Sequence, residues 1–305
     1  MKIYISRQAV TGPWGGGNRW LRAFLAACYA EGWRIACSVA DADVAFIAAV
    51  KHGSPVEPGA VQVATDAQKR GIPCLFRVND CDARKGTDDV DRDVRLAASR
   101  CTHIVYVSRW LAAHAASRGV TSRSSSIIIN GVDRTVFDPT LHQQRSLSDK
   151  LRIVTHHWSD NRLKGALWYE ALDSLSSDGT IVLTYVGRHA CKFSDRTIVV
   201  PPCDGRLLAT TLACNDVYVS GSTYDPGPNH ILEAAALGMP MIVAANGGGC
   251  VEFASPAPAV HDVDELVNVL RHGGAARSTI LVQSWDDCAA QYVQLVKDVM
   301  QHAAG

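Results

Sequence analysis

The sequence predicts an α/β protein built on doubly wound, largely parallel sheets, arranged as two domains of similar size. Three observations carry this. Short apolar runs alternate with helical patterns nearly from end to end. Many of those runs are continuous rather than alternating, as in strands covered on both faces, and strand–helix–strand in series implies parallel neighbours. A polar stretch without periodicity, "DPTLHQQRSLSDK" at 138–150, interrupts the pattern before it restarts, and reads as a linker.

In the first half the expected strands are "KIYIS", "RIACS", "DVAFIAAV", "PCLFRV", "HIVYVS" and "SSIIIN". Between them lie the helical patterns "NRWLRAFLAACYAEG", "GAVQVATDAQKRG" and "RWLAAHAASRG". After the linker, "LRIVTHHW", "TIVLTYVG", "TIVVPP", "DVYVSG" and "PMIVAA" read as strands, with helices around 163–175, 204–214 and 229–238. The expected domains are 1–140 and 141–305. The final helix, from about Ser284 to His302, carries Tyr292, Leu295, Val296 and Met300 on one stripe and suits packing on either domain.

The chain has 305 residues, with 30 basic and 30 acidic side chains. That balance gives no field to hold a polyanion, so general nucleic-acid binding is not expected. The N-terminus lacks a signal-peptide pattern, and no apolar run approaches the roughly 20 residues of a membrane span. The ten cysteines show no CxxC pair and no metal spacing with histidine. They are expected to be mostly small buried residues of a protein in the reducing cytoplasm.

Three stretches point to a ligand. "TGPWGGGNRWLRAF" (11–24) follows the first strand and opens a helix; Asn18 is the expected N-cap, and Gly15, Gly16 and Gly17 let a backbone approach an anion closely. In "HHWSDNRLKG" (156–165), Lys164 is expected to begin the next helix and reach an anion at the strand's carboxyl end. "STYDPGPNHILEAAALGMPMIVAANGGGCVEF" (222–253) is the most informative. Its Pro/Gly turn starts a helix whose amides near Asn229, His230 and Ile231 are expected to lack backbone partners. Gly238 and Pro240 end that helix, and Glu233 stands alone as an acid on it. Its carboxylate is either a solvated surface group or an acceptor aimed at hydroxyls. Arg77, Asn79 and Asp80 close a strand of the first domain, where they are expected to face a cleft and bind acceptor or sugar. The triplets at Asp80–Asp82 and in "DVDRD" (89–93) match the Asp-x-Asp form of metal-dependent sugar transferases, but read better as loop residues. His103 and His114 are expected to be structural, while His156, His157 and His230 lie where a ligand would.

Taken together, "GGGN", "IIINGVDRTVFDP" and Asp225-x7-Glu233 followed by "EAAALGMPMIV" and "GGGCVE" resemble the retaining, two-domain glycosyltransferases of GT-B architecture. The resemblance is to the large family that includes sucrose synthases and bacterial polysaccharide mannosyl- and glucosyltransferases. It implies two Rossmann-like domains facing across a cleft, with the second binding a nucleotide-diphosphate sugar. It further implies that Glu233 accepts from the ribose, Asp225 lies near the transferred sugar, and Lys164 neutralises the diphosphate. The amides of Asn229, His230 and Ile231 would contact the sugar, those around Gly248 and Gly249 would line the nucleotide pocket, and His157 would face the donor. Gly15 to Gly17 would approach the diphosphate from the first domain, and Asn79 and Asp80 would serve the reacting centre. No metal or cofactor is expected beyond the donor itself, whose sugar and base stay open. The acceptor is a saccharide, a lipid-linked group or a small molecule, and peripheral membrane contact is compatible with the lipid-linked case. Departures from the family pattern are Asp225 where Glu is usual, Pro226-Gly227-Pro228 where Gly-Phe-Gly is usual, and Ser159 where an arginine precedes the lysine by five. A GT-B epimerase and a non-catalytic nucleotide-sugar-binding subunit are the competing readings.

Overall fold

The computed structural model describes residues 1–12, 14–51, 58–142 and 150–304. Pro13 of the glycine loop and residues 143–149 of the expected linker lie outside them. The chain divides into two compact units, one of residues 1–131 with 285–305 and one of 132–284. The division therefore falls before the polar stretch, and the final helix belongs with the first unit.

The first unit contains β1 (Lys2–Ile5), α1 (Gly16–Ala30), β2 (Arg34–Ile35), β3 (Val44–Ile47), α2 (Ala60–Arg70), β4 (Cys74–Val78), α3 (Asp82–Lys85), α4 (Val90–Ala98), β5 (His103–Tyr106), α5 (Arg109–Ser117) and β6 (Ser125–Ile127). Its strands form one parallel sheet in the order β2-β1-β3-β4-β5-β6. The pleat sends alternate residues to opposite faces. Tyr4, Ala45, Ile47, Cys74, Phe76, Val78, Ile104 and Tyr106 pack with Val63 and Ala67 of α2, Val94 of α4 and Leu111 of α5. Ile3, Ile5, Val44, Phe46, Leu75 and Val105 pack on the opposite side with Trp20 and Phe24 of α1.

That second face is completed by α11 (Trp285–Ala304). Tyr292, Val293, Val296 and Val299 enter the same core, and Tyr292 meets Trp20, Phe24 and Phe46 with ring centroids 5.1, 5.8 and 5.9 Å away. The apolar stripe of the last helix thus covers an aromatic surface that the first unit cannot bury alone, which is why it belongs there.

The second unit contains β7 (Leu151–His157), α6 (Ala166–Ser177), β8 (Ile181–Gly187), β9 (Ile198–Val200), α7 (Gly205–Ala213), β10 (Val217–Ser220), α8 (Asn229–Ala236), β11 (Pro240–Ala244), α9 (Gly249–Ala254), β12 (Ala259–Val260), α10 (Val263–Arg271) and β13 (Ala276–Arg277). The sheet order is β12-β11-β10-β7-β8-β9, all parallel, with β13 antiparallel to β11. Ile153, Leu183, Tyr185, Val219, Ile242 and Val260 form a core with Tyr169 and Leu172 of α6 and Leu266 of α10. β8 ends on Gly187, whose φ is +113° and where a Cβ would lie 2.0 Å from the His157 carbonyl oxygen.

The expected strands and the long helices are present, with boundaries shifted by a few residues. Three helices, α3, α4 and α10, go beyond the sequence reading. α3 and α4 occupy "DCDARKGTDDVDRDVRLAA", expected as a polar loop. The Asp82 carboxylate accepts from the amides of Val90 and Asp91 at 2.8 and 3.0 Å and from the Thr87 hydroxyl at 2.7 Å, which starts α4 and holds that carboxyl below the usual range. Lys51 bridges Asp89 and Asp93 at 2.9 and 2.5 Å. The Asp-x-Asp triplets are therefore parts of a helix start. α9 is a short helix behind the triple glycine, and α10 opens on Asp262, which caps it by accepting from the Glu265 amide at 2.8 Å while Glu265 accepts from the His261 amide at 2.7 Å. Seven of the ten cysteines are buried, and no described helix is long and apolar enough to cross a membrane.

Because α11 closes the aromatic face, Tyr292→Ala is expected to cost about 3–5 kcal/mol by the cavity it leaves. Urea denaturation of the full chain measures this; a change under 1 kcal/mol would mean that the helix is not part of the core.

Candidate functional site

In the second unit β7, β8 and β9 build the sheet in one direction from β7, and β10, β11 and β12 build it in the other. Neighbouring β7 and β10 therefore carry their following loops to opposite faces, and a crevice opens at their carboxyl ends. Open α/β sheets bind ligands at this switch point. The loops leaving β7 and β10 hold Lys164 and Asp225.

Both loops are tightly specified. Asn161 caps the turn Arg162–Lys164 by accepting from the Leu163 amide at 2.9 Å, so Lys164 precedes α6 rather than starting it. Gly165 follows with φ +101°, and a Cβ there would stand 2.7 Å from the Gly221 backbone. Gly221 is equally confined, because a Cβ would meet Gly165 and Trp168 at 3.0 Å. The Tyr169 hydroxyl accepts from the Gly221 amide at 3.1 Å, and the Thr223 amide donates to the Leu163 carbonyl at 2.9 Å. The strand continues against the turn after β11. Tyr224, the one described non-glycine residue with positive φ, donates its amide to Asn246 O at 2.9 Å. Asp225 donates to Gly247 O at 3.1 Å and accepts from the Gly249 amide at 2.7 Å.

The charges sit on this frame. Lys164 Nζ contacts Asp225 Oδ2, and their side chains are 14% and 5% exposed. His230, in the first turn of α8, places Nδ1 3.9 Å from the same oxygen. Its Nε2 lies 2.9 Å from Ser220 Oγ and 3.7 Å from Cys250 Sγ. Burial, reinforced by Asp225, pushes the Cys250 thiol well above its ordinary value.

Glu233, one turn further along α8, is buried. His156 Nε2 lies 2.7 Å from its Oε2. The Tyr218 hydroxyl accepts the His156 amide at 3.3 Å and lies 3.1 Å from His156 Nδ1, so it donates to that nitrogen. The proton of His156 is then on Nε2 and is donated to Glu233. His157, also buried, lies 2.6 Å from the Tyr169 hydroxyl and 3.2 Å from that of Thr155. Burial first, then the neighbouring His230, Lys164 and His156, hold it well below the usual histidine pKa. The His157 and His230 rings are 4.9 Å apart.

The structure thus gathers Lys164, Asp225, His230, Glu233 and His157 around one switch point. Cys250, Gly165 and Gly221 join them without having been singled out by sequence; only the glycine after the lysine was a visible signal.

Two expectations are corrected here. The Ile231 amide is not unpartnered, because it donates to Pro228 O at 3.1 Å. The Gly249 amide is committed to Asp225, and a Cβ at Gly249 would meet Asp225 O, Pro228 Cδ and Pro226 O at 2.9–3.1 Å. Gly248, with φ +66°, pairs across a parallel bridge with Asp225. These glycines serve the approach of one backbone to another. Asn229 is the first residue of α8, behind Pro228.

In the first unit Gly15 caps α1, and Gly16 and Gly17 are its first residues. Asn18 is not the cap; its side chain exchanges two hydrogen bonds with the Val10 backbone, at 2.9 and 2.8 Å, folding the glycine loop back. Asn79 Nδ2 lies 3.8 Å from where a Cβ on Gly17 would be, so two predicted site pieces do meet. Asp80 pairs with Lys85 and Arg84 at 3.2 and 3.5 Å. Arg77 does not face outward. The pleat turns it onto the α1 face, 1% exposed, with its guanidinium 4.3 Å over the Trp20 ring and 2.9 Å from Asn130 Oδ1. His103 bonds Ser126 Oγ at 2.9 Å and His114 stacks on Trp110, both structural contacts.

No protein-family model matches the chain, and no curated protein matches it. Solved structures share its fold over nearly its whole length. Sucrose-phosphate synthase from Thermosynechococcus elongatus is 16% identical, with a TM-score of 0.68 over 99% of each chain. Anabaena HepE, solved with UDP and glucose, is 13% identical with a TM-score of 0.66 over 100% of this chain and 99% of its own. The pneumococcal O-GlcNAc transferase GtfA, solved with UDP and GlcNAc, is 12% identical with a TM-score of 0.55 over 92% of this chain and 60% of its own. The fold is that of GT-B glycosyltransferases.

A buried neutral His157 sets a pH window. Its folded pKa is depressed, so the unfolded chain takes up the proton first as pH falls. The stability His157 contributes is complete above about pH 6.5 and declines below it by up to about 1.4 kcal/mol per pH unit until the folded pKa is reached. His157→Gln should flatten this slope in urea denaturation between pH 7.5 and 5.5. Equal slopes in both proteins would mean that His157 titrates normally in the fold.

Proposed function

We propose that the chain transfers a sugar from a nucleotide-diphosphate sugar to an acceptor hydroxyl with retention of configuration, without a metal at the reacting centre. The observation that carries this is the Lys164–Asp225 pair at the switch point of the second unit, in a fold shared with glycosyltransferases. HepE and GtfA were solved with UDP, which supports a UDP-linked donor here.

Loss of a nucleoside diphosphate from the anomeric carbon leaves developing negative charge on the phosphate. Lys164 has three donors, and Asp225 takes one of them, so the ammonium is held in place with donors left for phosphate oxygens. Glu233 accepts from the ribose hydroxyls, its carboxylate oriented by the Tyr218–His156 chain. Asp225 and His230 flank the sugar. The departing phosphate takes the acceptor proton during same-face attack, so no enzyme nucleophile is assigned. The acceptor is identified only as a hydroxyl.

Incubation with a panel of labelled nucleotide sugars, with and without chelator, tests this. Slow hydrolysis or transfer that survives chelation supports it. Epimer formation would replace it with the epimerase reading, and binding without turnover with that of a sensing subunit. Glu233→Gln is expected to weaken donor binding by about 1–3 kcal/mol, because a charge-assisted acceptor is lost; unchanged affinity in calorimetry would remove Glu233 from the ribose. Lys164→Ala is expected to cut turnover by orders of magnitude, and near-normal turnover would put the diphosphate elsewhere. The same variant strands a buried carboxylate, so its stability should be measured alongside, with a loss of about 3–5 kcal/mol expected.

A further inference from the structure

Asp225, His230 and Cys250 come from the loop after β10, the first turn of α8 and the start of α9. A carboxylate oxygen, an imidazole nitrogen and the thiol sulfur lie within 4.8 Å of one another, and all three residues are buried. His230 offers one nitrogen to an ion at a time; its Nδ1 lies 3.9 Å from Asp225 Oδ2 and its Nε2 3.7 Å from Cys250 Sγ. The Ser220 hydroxyl is a further oxygen within reach, 2.9 Å from His230 Nε2 and 3.9 Å from Cys250 Sγ.

One sulfur, one nitrogen and one oxygen form a donor set for a borderline-soft dication. Magnesium and calcium take oxygen-only sets, whereas Cys, His and carboxylate together suit zinc. Around tetrahedral zinc, donors at about 2.0–2.3 Å from the ion stand roughly 3.3–3.7 Å apart. Side-chain adjustments of about an ångström close the present triangle to that size. The frame resists larger change, because Asp225 is pinned by its own amide and carbonyl and Cys250 follows the constrained Gly249. The carboxylate also already holds a cation, the ammonium of Lys164, which at 14% is more exposed than Asp225 or His230.

We propose that Asp225, His230 and Cys250 form a binding site for a thiophilic divalent cation, zinc by ligand preference, with Lys164 as the internal competitor for Asp225. The thiol proton leaves to solvent as the metal–thiolate bond forms. An ion held here would compete with Lys164 for Asp225 and so oppose the metal-free transfer proposed above; the test of the site needs no turnover, so metal binding and transfer can each fail without the other.

Titration of the full chain with Co2+ reads it directly, since a thiolate ligand gives a near-ultraviolet charge-transfer band and tetrahedral geometry gives visible bands. The expected result is one equivalent bound with both signatures, displaced by Zn2+. Cys250→Ser should abolish the near-ultraviolet band, and Lys164→Met should tighten binding at least tenfold by removing the competing charge. Should Cys250→Ser fail to fold by circular dichroism, Asp225→Asn serves instead, with binding weakened at least tenfold. No bound cobalt, a band that persists in Cys250→Ser through other thiols, or unchanged affinity in both Lys164→Met and Asp225→Asn would overturn the proposal.

Discussion

The second unit is organised by one constraint, the close passage of the segment 221–225 between two turns. On one side Gly221 lies against Gly165, with no space for a Cβ on either residue. On the other, Asp225 exchanges backbone hydrogen bonds with Gly247 and Gly249. The strands that launch these turns, β7, β10 and β11, are neighbours in the sheet, so all three carboxyl ends open at one place. Backbone bonds give Asp225 its position, and that position brings its carboxylate to Lys164. A longer side chain is not needed to make the contact, so an aspartate suffices at this position.

Around this frame the interior is unusually polar. His156, His157, His230, Glu233, Tyr169 and Tyr218 are all buried, and each has a hydrogen-bond partner, within the group for all but His230, which pairs with Ser220. Such groups are costly when left unsatisfied and rigid when satisfied. Tyr218 decides the tautomer of His156, and His156 in turn fixes Glu233. Tyr169 links His157 to the Gly221 amide, so the same hydroxyl that satisfies a buried imidazole also holds the segment bearing Asp225. Orientation of the charged residues is therefore supplied by the network beneath them as well as by the backbone.

Much of this was legible in the residue order. Continuous apolar runs marked nearly every principal strand, because burial on both faces of a parallel sheet leaves a local record. Glu233 stood out as the one acid on an apolar helix, and Lys164 as a cation at a strand's carboxyl end. Other features were misread for physical reasons. Asp82 and Asp262 were helix starts concealed among acids, and α4 looked polar because one side of it is solvated. Asn18 has the chemistry of a cap but spends both ends of its amide on Val10. Gly247 and Gly249 promised an approach to a ligand, whereas they accommodate the chain's own carbonyls. Arg77 was expected at an exposed strand end, and the pleat instead buried it over Trp20.

What the sequence determined by itself is the local grammar: which segments are strands, where the longer helices lie, and which few charged residues stand in apolar surroundings. Hydrophobic period and turn chemistry act over a few residues, so they can be read without the rest of the chain. Only the tertiary structure decided which loops are neighbours, that the last helix completes the first unit, and that Cys250 lies beside His230 and Asp225. Those facts follow from strand order and from shared burial between distant segments. The energy of such contacts exists only once the sheet is assembled, and no single segment carries it.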